Sequence, residues 1–226
     1  MIITNKLTKT YRRRNEDVKA IDDASFEINS GDFISIIGPS GSGKSSLLLT
    51  LGGMLAPTSG TVTIDGESIY DLTPNERARL RHEKIGFVFQ TFNLIPYLSA
   101  LQNVQLPLLL GGKEEQEQKE RAEQLLERVE LGNRMDHTPP ELSIGQQQRC
   151  ALARMLANDP SIIFADEPTG NLDPETGKNM MSFFHELSEE GRTIIMVTHD
   201  MEIAKQSKRI FAIHDGKLNE VLEARV

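Results

Sequence analysis

The residues Gly38, Pro39, Ser40, Gly41, Ser42, Gly43, Lys44 and Ser45 carry the clearest chemistry in the chain. Two glycines separated by four residues, then lysine and serine, have the spacing of a phosphate-binding loop. The apolar run Phe33 to Ile37 reads as a buried strand and Ser46 to Leu55 as a helix, so the glycines fall on the strand-to-helix turn such a loop requires. On that turn the backbone N–H groups and the helix N-terminus converge on one centre, where a Cβ at each glycine would obstruct phosphate oxygens. Lys44 brings a positive charge for β and γ phosphates, and the Ser45 hydroxyl can ligate Mg²⁺.

Further candidates lie at the ends of other apolar runs. Ser161 to Ala165 reads as a strand that delivers Asp166 and Glu167 at its C-terminal end, where ligands collect in open α/β sheets. Asp166 suits the Mg²⁺ shell, and Glu167, pointing elsewhere, suits polarisation of an attacking water. Taken alone, the pair could equally satisfy loop amides or cap a helix. His199 follows the run Thr193 to Val197 and is expected on the same sheet edge; a lone histidine is usually structural or a surface residue, but the strand end puts this one in position to sense a γ-phosphate. Gln90 follows Phe87 to Phe89, and its amide can reach Mg²⁺ or the attacking water. Leu142, Ser143, Ile144, Gly145 and Gln146, ahead of a helix through Asn158, offer either a second anion site at a helix N-terminus or a simple cap.

The elements that must position these residues follow from the hydrophobic pattern. Alternation in Ala24, Phe26 and Ile28, and again in Thr61 to Asp65, predicts an antiparallel β layer. Ile85 to Phe89, Ile162 to Ala165 and Thr193 to Val197 are short continuous apolar runs, which suits strands buried on both faces of a parallel sheet. From Thr91 to Asn158 the texture changes to a leucine-rich stretch, Leu98 to Leu110, and a highly charged one, Lys113 to Glu130. The latter sets Ala122, Leu125, Leu126 and Val129 on one helical face. This predicts a helical subdomain, residues 91–158, inserted into a core made of 1–90 and 159–226. Ile210 to Ile213, the Asp215-Gly216 turn and Lys217 to Val221 predict a closing hairpin.

Composition narrows the function. A chain of 226 residues with net charge −8 does not suit broad nucleic-acid binding, which draws its affinity from Lys and Arg on phosphates. The basic run Arg12, Arg13, Arg14 precedes Glu16 and Asp17 and reads as a solvated hairpin, or else as a partner or phosphate contact. Cys150 is the only cysteine, which excludes an internal disulfide and favours a reducing compartment; among Ala151, Ala153 and Met155 it reads as buried filler. No apolar run is long enough to span a membrane, and the N-terminus lacks the layout of a signal peptide. A cytoplasmic chain is expected, with any membrane role supplied by a partner.

With these motifs in order, the chain from Leu7 to Val221 resembles the nucleotide-binding domain of ATP-binding cassette proteins. The resemblance rests on Tyr11, the loop Gly38 to Ser46, Gln90, Leu142 to Gln146, Asp166 and Glu167, Asn171-Leu172-Asp173, and His199. It implies an α/β fold: a phosphate-loop core with mixed, largely parallel sheet, an antiparallel β subdomain and an inserted helical subdomain. It implies ATP and Mg²⁺ as ligands, with Tyr11 stacked on adenine unless it is only strand packing, and Lys44, Glu167, Gln90 and His199 serving hydrolysis. It further implies a head-to-tail homodimer, in which Ser143, Gly145 and Gln146 of one subunit close over ATP held by the other and Asp173 lies at the crossing. Where the family usually has glycine, this chain has Ile144, which is harmless if its side chain points away and weakens closure if backbone must approach phosphate there.

The wording Glu167 to Asp173 and Phe87 to Pro96 looks like the branch serving lipoprotein release, macrolide and peptide efflux, and cell division. That implies an integral membrane permease whose helix docks near Gln90 to Tyr97, with Phe92, Leu94 and Ile95 either docking residues or core. A soluble cassette ATPase and a phosphate-loop kinase are the alternatives, the second leaving Ser143 to Gln146 and His199 without a role.

Overall fold

The computed structural model describes residues 1–13 and 16–223. Strands β1 (Ile2–Arg13), β2 (Glu16–Ile28) and β3 (Phe33–Ile37) precede α1 (Lys44–Leu51). Then come β4 (Ser59–Ile64), β5 (Glu67–Ser68), α2 (Pro74–Lys84) and β6 (Ile85–Phe89). Three helices follow, α3 (Ala100–Leu110), α4 (Glu115–Arg128) and α5 (Ile144–Met155). The chain closes with β7 (Ile162–Asp166), α6 (Pro174–Glu189), β8 (Thr193–Thr198), α7 (Met201–Ala204), β9 (Arg209–His214) and β10 (Lys217–Glu223).

Two sheets result. β2-β1-β4-β5 is antiparallel throughout, as the alternation predicted. The second has the order β10-β9-β3-β8-β7-β6, parallel except for the β9–β10 hairpin at its edge. Arg14, the end of the basic run, lies outside the described residues.

Period-two alternation in the parallel strands divides the core into two layers. Phe33, Val88, Ile163, Ala165, Ile194 and Met196 face α3, α4, α5 and α6. Ile34, Ile36, Ile162, Phe164, Ile195 and Val197 face α1 and the antiparallel sheet. Continuous apolar runs were therefore the right signal for strands covered on both sides. α4 buries Ala122, Leu125 and Leu126 on one face, with Val129 buried at its C-cap. The other face is solvated, with the pairs Lys113–Glu117 and Lys119–Glu123 along it.

Three boundaries differ from the sequence pattern. α1 starts two residues earlier than the apolar pattern, at Lys44, because Gly43 at φ 106° is its N-cap. It stops at Leu51, where Gly52 and Gly53 follow; a Cβ on Gly52 would sit 2.2 Å from the Phe87 ring. α5 ends at Met155, its C-cap being Leu156. Phe92, open between docking and core, is core: it is buried at φ 58°, while Tyr97 is 79% exposed.

Cys150 is fully buried, and burial pushes its thiol up to about 12. A thiolate is the reactive form. The folded chain is expected to leave this thiol unmodified by a disulfide reagent at pH 8, and to release one equivalent of thiolate only when unfolded. Stoichiometric labelling of native chain would contradict the placement.

Candidate functional site

The parallel strands deliver the predicted residues to one edge. β3 ends at Ile37, and the loop that follows turns on Gly41 at φ 79° and Gly43 at φ 106°. At Gly43 a Cβ would fall 1.9 Å from the Ala20 carbonyl oxygen, so backbone conformation and space both demand glycine. Gly38 is crowded in the same way, its Cβ position lying 2.4 Å from the Ile213 carbonyl oxygen. The Lys44 ammonium donates to the Gly38 and Pro39 carbonyls at 2.8 and 3.1 Å. The loop forms one wall of a cleft of about 700 Å³, where Ser40, Gly41, Gly43, Lys44, Ser45 and Ser46 meet Tyr11, Gln90, Asp166 and Glu167. Ser42 is not on that wall; its hydroxyl is buried without a hydrogen-bond partner.

Asp166, the last residue of β7, accepts from the Ser45 hydroxyl at 3.1 Å. Burial raises its pKa, the charge of Glu167 adds to the rise, and the Ser45 bond and Lys44 oppose it. Two hard oxygens side by side on a cleft wall suit Mg²⁺, which keeps most of its shell for waters and phosphates. No group of three or more His, Cys, Asp or Glu occurs among the described residues that would cage a metal by protein alone.

Glu167 adopts φ 47°, a left-handed conformation that costs on the order of 1–3 kcal/mol for a non-glycine residue. Its N–H donates to the Val197 carbonyl at 3.0 Å, which locks the strained turn to β8. One carboxylate oxygen accepts from His199, at 2.8 Å from Nδ1 and 3.3 Å from the backbone N–H. A carboxylate only accepts, so Nδ1 carries the proton. The other oxygen lies 3.8 Å from the Lys44 ammonium. The strained turn thus points the second acid away from the first, and the structure joins Lys44, Glu167 and His199 in one chain of contacts. His199 itself is largely exposed and stands beside the cleft lining.

Tyr11 lies within β1 and is 40% exposed, with its hydroxyl 3.1 Å from Ser46 Oγ. Tyr11 lines the cleft together with Arg12, from the basic run, and with Val18 and Ala20, which the sequence motifs did not single out. Gln90, just past β6, is bonded to the Asn171 side chain through both its own side chain and its backbone carbonyl.

The remaining predicted residues are not brought to this cleft. Ser143 is the N-cap of α5, its hydroxyl accepting from the Gln146 N–H at 3.3 Å while the Gln146 side chain accepts from the Ser143 N–H at 2.9 Å. Gly145 lies in the first turn, and Ile144 is 58% exposed with negative φ. Asp173 caps α6, accepting from the Glu175 and Thr176 amides and the Thr176 hydroxyl, bonds that lower its pKa. None of the four is among the cleft-lining residues.

One tie went unread in the sequence. Arg154 of α5 donates to the Phe92 and Asn93 carbonyls at 2.6 and 2.7 Å, and burial depresses its pKa. Phe92 and Asn93 both have positive φ, 58° and 50°. A partly buried guanidinium on α5 thereby pins the left-handed turn beyond Gln90 to the helix that Ser143 caps. The available signal was an arginine interrupting the run Ala151 to Ala157.

The family model described as ABC transporter matches residues 21–170, two thirds of the chain. The chain belongs to the ABC transporter family. This cassette is 48% identical over 213 residues to an ABC transporter ATP-binding protein of Thermotoga maritima, covering 94% of this chain and 91% of that one. It is 49% identical to the macrolide export ATP-binding/permease protein MacB of Syntrophobacter fumaroxidans, covering 96% of the cassette and 31% of that longer chain. The ATP-binding cassette MJ0796, whose sequence is from Methanocaldococcus jannaschii, superposes over 100% of both chains with TM-score 0.92 and 43% identity. It was solved as a dimer in a post-hydrolysis state bound to ADP and Pi. The cassette fold expected from the sequence, α/β with mixed sheets and helices, is the fold observed.

Because the folded pKa of Asp166 is raised, its contribution to stability is present below the unfolded value of 3.8 and is lost as pH rises through the folded one. At neutral pH its ionisation therefore costs folding free energy. Asp166→Asn, which keeps an acceptor for Ser45, is expected to raise Tm by a few degrees at pH 7 and not at pH 3.5. The same variant should lose Mg²⁺-dependent nucleotide binding. A fall in Tm at pH 7 would overturn this account.

Proposed function

We propose that this cassette binds ATP in the cleft between Tyr11 and the Gly38 to Ser46 loop, hydrolyses it, and uses the cycle to drive a membrane transporter. The observation that carries this reading is the convergence, on one sheet edge, of the phosphate loop, Asp166, and the Lys44–Glu167–His199 contacts. A phosphate-loop kinase would leave His199 and the Ser143 cap unused.

In this reading the loop amides and the Lys44 ammonium hold the β and γ phosphates, Lys44 exchanging its bonds to Gly38 and Pro39 for phosphate oxygens. Mg²⁺, held from Ser45 and Asp166 with the oxygen of Gln90 in reach, supplies charge neutralisation at the phosphates. Glu167 orients the attacking water and takes its proton, while His199, donating from Nδ1, holds the carboxylate and reports the γ-phosphate. Tyr11 stacks on the base, a contact worth about 1–3 kcal/mol.

Segment 91–158 is the helical part that carries Ser143, Gly145 and Gln146. These residues and Asp173 serve a second copy: the cassette closes head to tail, each Ser143 helix end capping ATP on the other subunit. MJ0796 as a dimer supports this arrangement. MacB, an ATP-binding and permease protein in one chain, supports an integral membrane permease as the other partner. Among the described residues no helix is long and apolar enough to cross a membrane, and this reading gives the span to that partner. The place of work is then the cytoplasmic face of the membrane, with Tyr97 and half-buried Ile95 toward the permease, while Leu94 packs on the core.

Lys44→Ala is expected to weaken MgATP binding by at least a hundredfold in equilibrium binding; wild-type affinity would remove Lys44 from the phosphate site. Glu167→Gln should keep binding, lose about a hundredfold or more in turnover, which is the lower end of what a positioned base supplies, and accumulate as an ATP-dependent dimer by light scattering. Near-normal turnover would assign the water to another group.

A further inference from the structure

The side chain of Gln90 sits against two residues of the turn after Glu167. Asn171 Nδ2 donates to the Gln90 backbone carbonyl at 3.2 Å, and Gln90 Nε2 donates to Asn171 Oδ1 at 3.4 Å. Gly170 leaves the room for this, since a Cβ there would lie 3.0 Å from Gln90 Nε2. Gly170 and Asn171 belong to a tight turn, with the Gly170 N–H on the Glu167 carbonyl at 3.0 Å and the Leu172 N–H on that of Thr169 at 3.1 Å.

The chemistry of these bonds fixes which end of each amide faces which way. A backbone carbonyl can only accept, so the end of Asn171 that meets the Gln90 carbonyl must be its NH₂ group. The other end of Asn171 is then its oxygen, which can only accept, so the end of Gln90 that meets it must be Nε2. Gln90 Oε1 is left over: no described residue donates to it, and Gln90 lines the cleft with Ser45 and Asp166. An amide nitrogen is no ligand for a hard cation, whereas an amide oxygen is one.

We infer that Asn171 is a positioning residue for the nucleotide site, holding the Gln90 carboxamide in the one of its two orientations that offers oxygen to the Mg²⁺ of bound nucleotide. Asn171 touches neither nucleotide nor cation in this role. It acts through Gln90, and it links that ligand to the turn leading from Glu167 to the Asp173 cap of α6. The inference rests on the proposed Mg²⁺ site at Ser45, Asp166 and Gln90.

The test is the Mg²⁺ concentration that half-saturates binding of the β,γ-imido analogue of ATP, which is not turned over, alongside binding of the same analogue in EDTA. Asn171→Ala is expected to raise the Mg²⁺ requirement about three- to tenfold, the range one exposed hydrogen bond supports, with unchanged binding in EDTA. In a Gln90→Ala background the Asn171 substitution should add nothing. In Gln90→Glu both terminal atoms are oxygens, orientation no longer matters, and Asn171→Ala should again cause no loss. A purely structural role would weaken binding in all three backgrounds and in EDTA, and would overturn the inference. If Gln90→Ala raises the Mg²⁺ requirement but Asn171→Ala does not, the orienting role fails and the cation site stands. If Gln90→Ala itself has no effect, the assignment of Gln90 to the cation fails and the inference with it.

Discussion

The chemistry of the cleft depends on the register of four parallel strands. Phe89 pairs with Asp166, Asp166 with Val197, and Ile37 with Thr198, so the strand ends form aligned rows across the sheet. One row further on lie Gln90 and Glu167, beside Thr198 and Ile37, and the next holds Gly38 and His199. A slip of one residue in β7 would exchange Asp166 with Glu167 and turn Phe164 out of its layer. The apolar alternation that fixes the two core layers is thus the same constraint that fixes which acid meets Ser45 and which meets His199.

The site departs from the economy of the rest of the fold. Glu167, Phe92 and Asn93 hold left-handed backbone, burial raises the pKa of Asp166, and Arg154 is partly buried on two carbonyls with its pKa depressed. Each is tied to a rigid element: Glu167 to β8 through Val197, the Phe92 turn to α5 through Arg154, Asp166 to α1 through Ser45. Strain of this kind persists only where the surroundings over-determine it. Fully buried Phe33, Phe164 and Phe184 and the apolar interiors of β3, β7 and β8 supply that rigidity.

Much of this was legible in sequence because it is local or periodic. The phosphate loop is contiguous, the strands announce themselves as apolar runs ending in Asp166, Thr198 and Gln90, and α4 shows its buried face at helical spacing. What was not legible depends on contacts far apart in the chain. The left-handed turn at Phe92 needs Arg154, 62 residues on, and without it an apolar Phe92 reads equally well as docking surface. The Gln90 to Asn171 bonds span 81 residues, and the early start of α1 reflects the approach of Gly43 to Ala20. Loop-to-loop hydrogen bonds leave no period in a sequence, and only folding brings them together.

Ile144 sits in a cap whose local structure is complete without its side chain. It occupies the first position of α5 with negative φ, and the cap is complete around it through Ser143 and Gln146. The groups that a helix N-terminus offers an anion are the N–H groups of the first turn and the cap hydroxyl, and none of these belongs to an isoleucine side chain. Glycine here would raise the conformational entropy lost on forming the turn, so isoleucine favours the helix that must present those N–H groups. Its 58% exposure leaves an apolar side chain at the mouth of the one predicted anion site that the cleft does not contain.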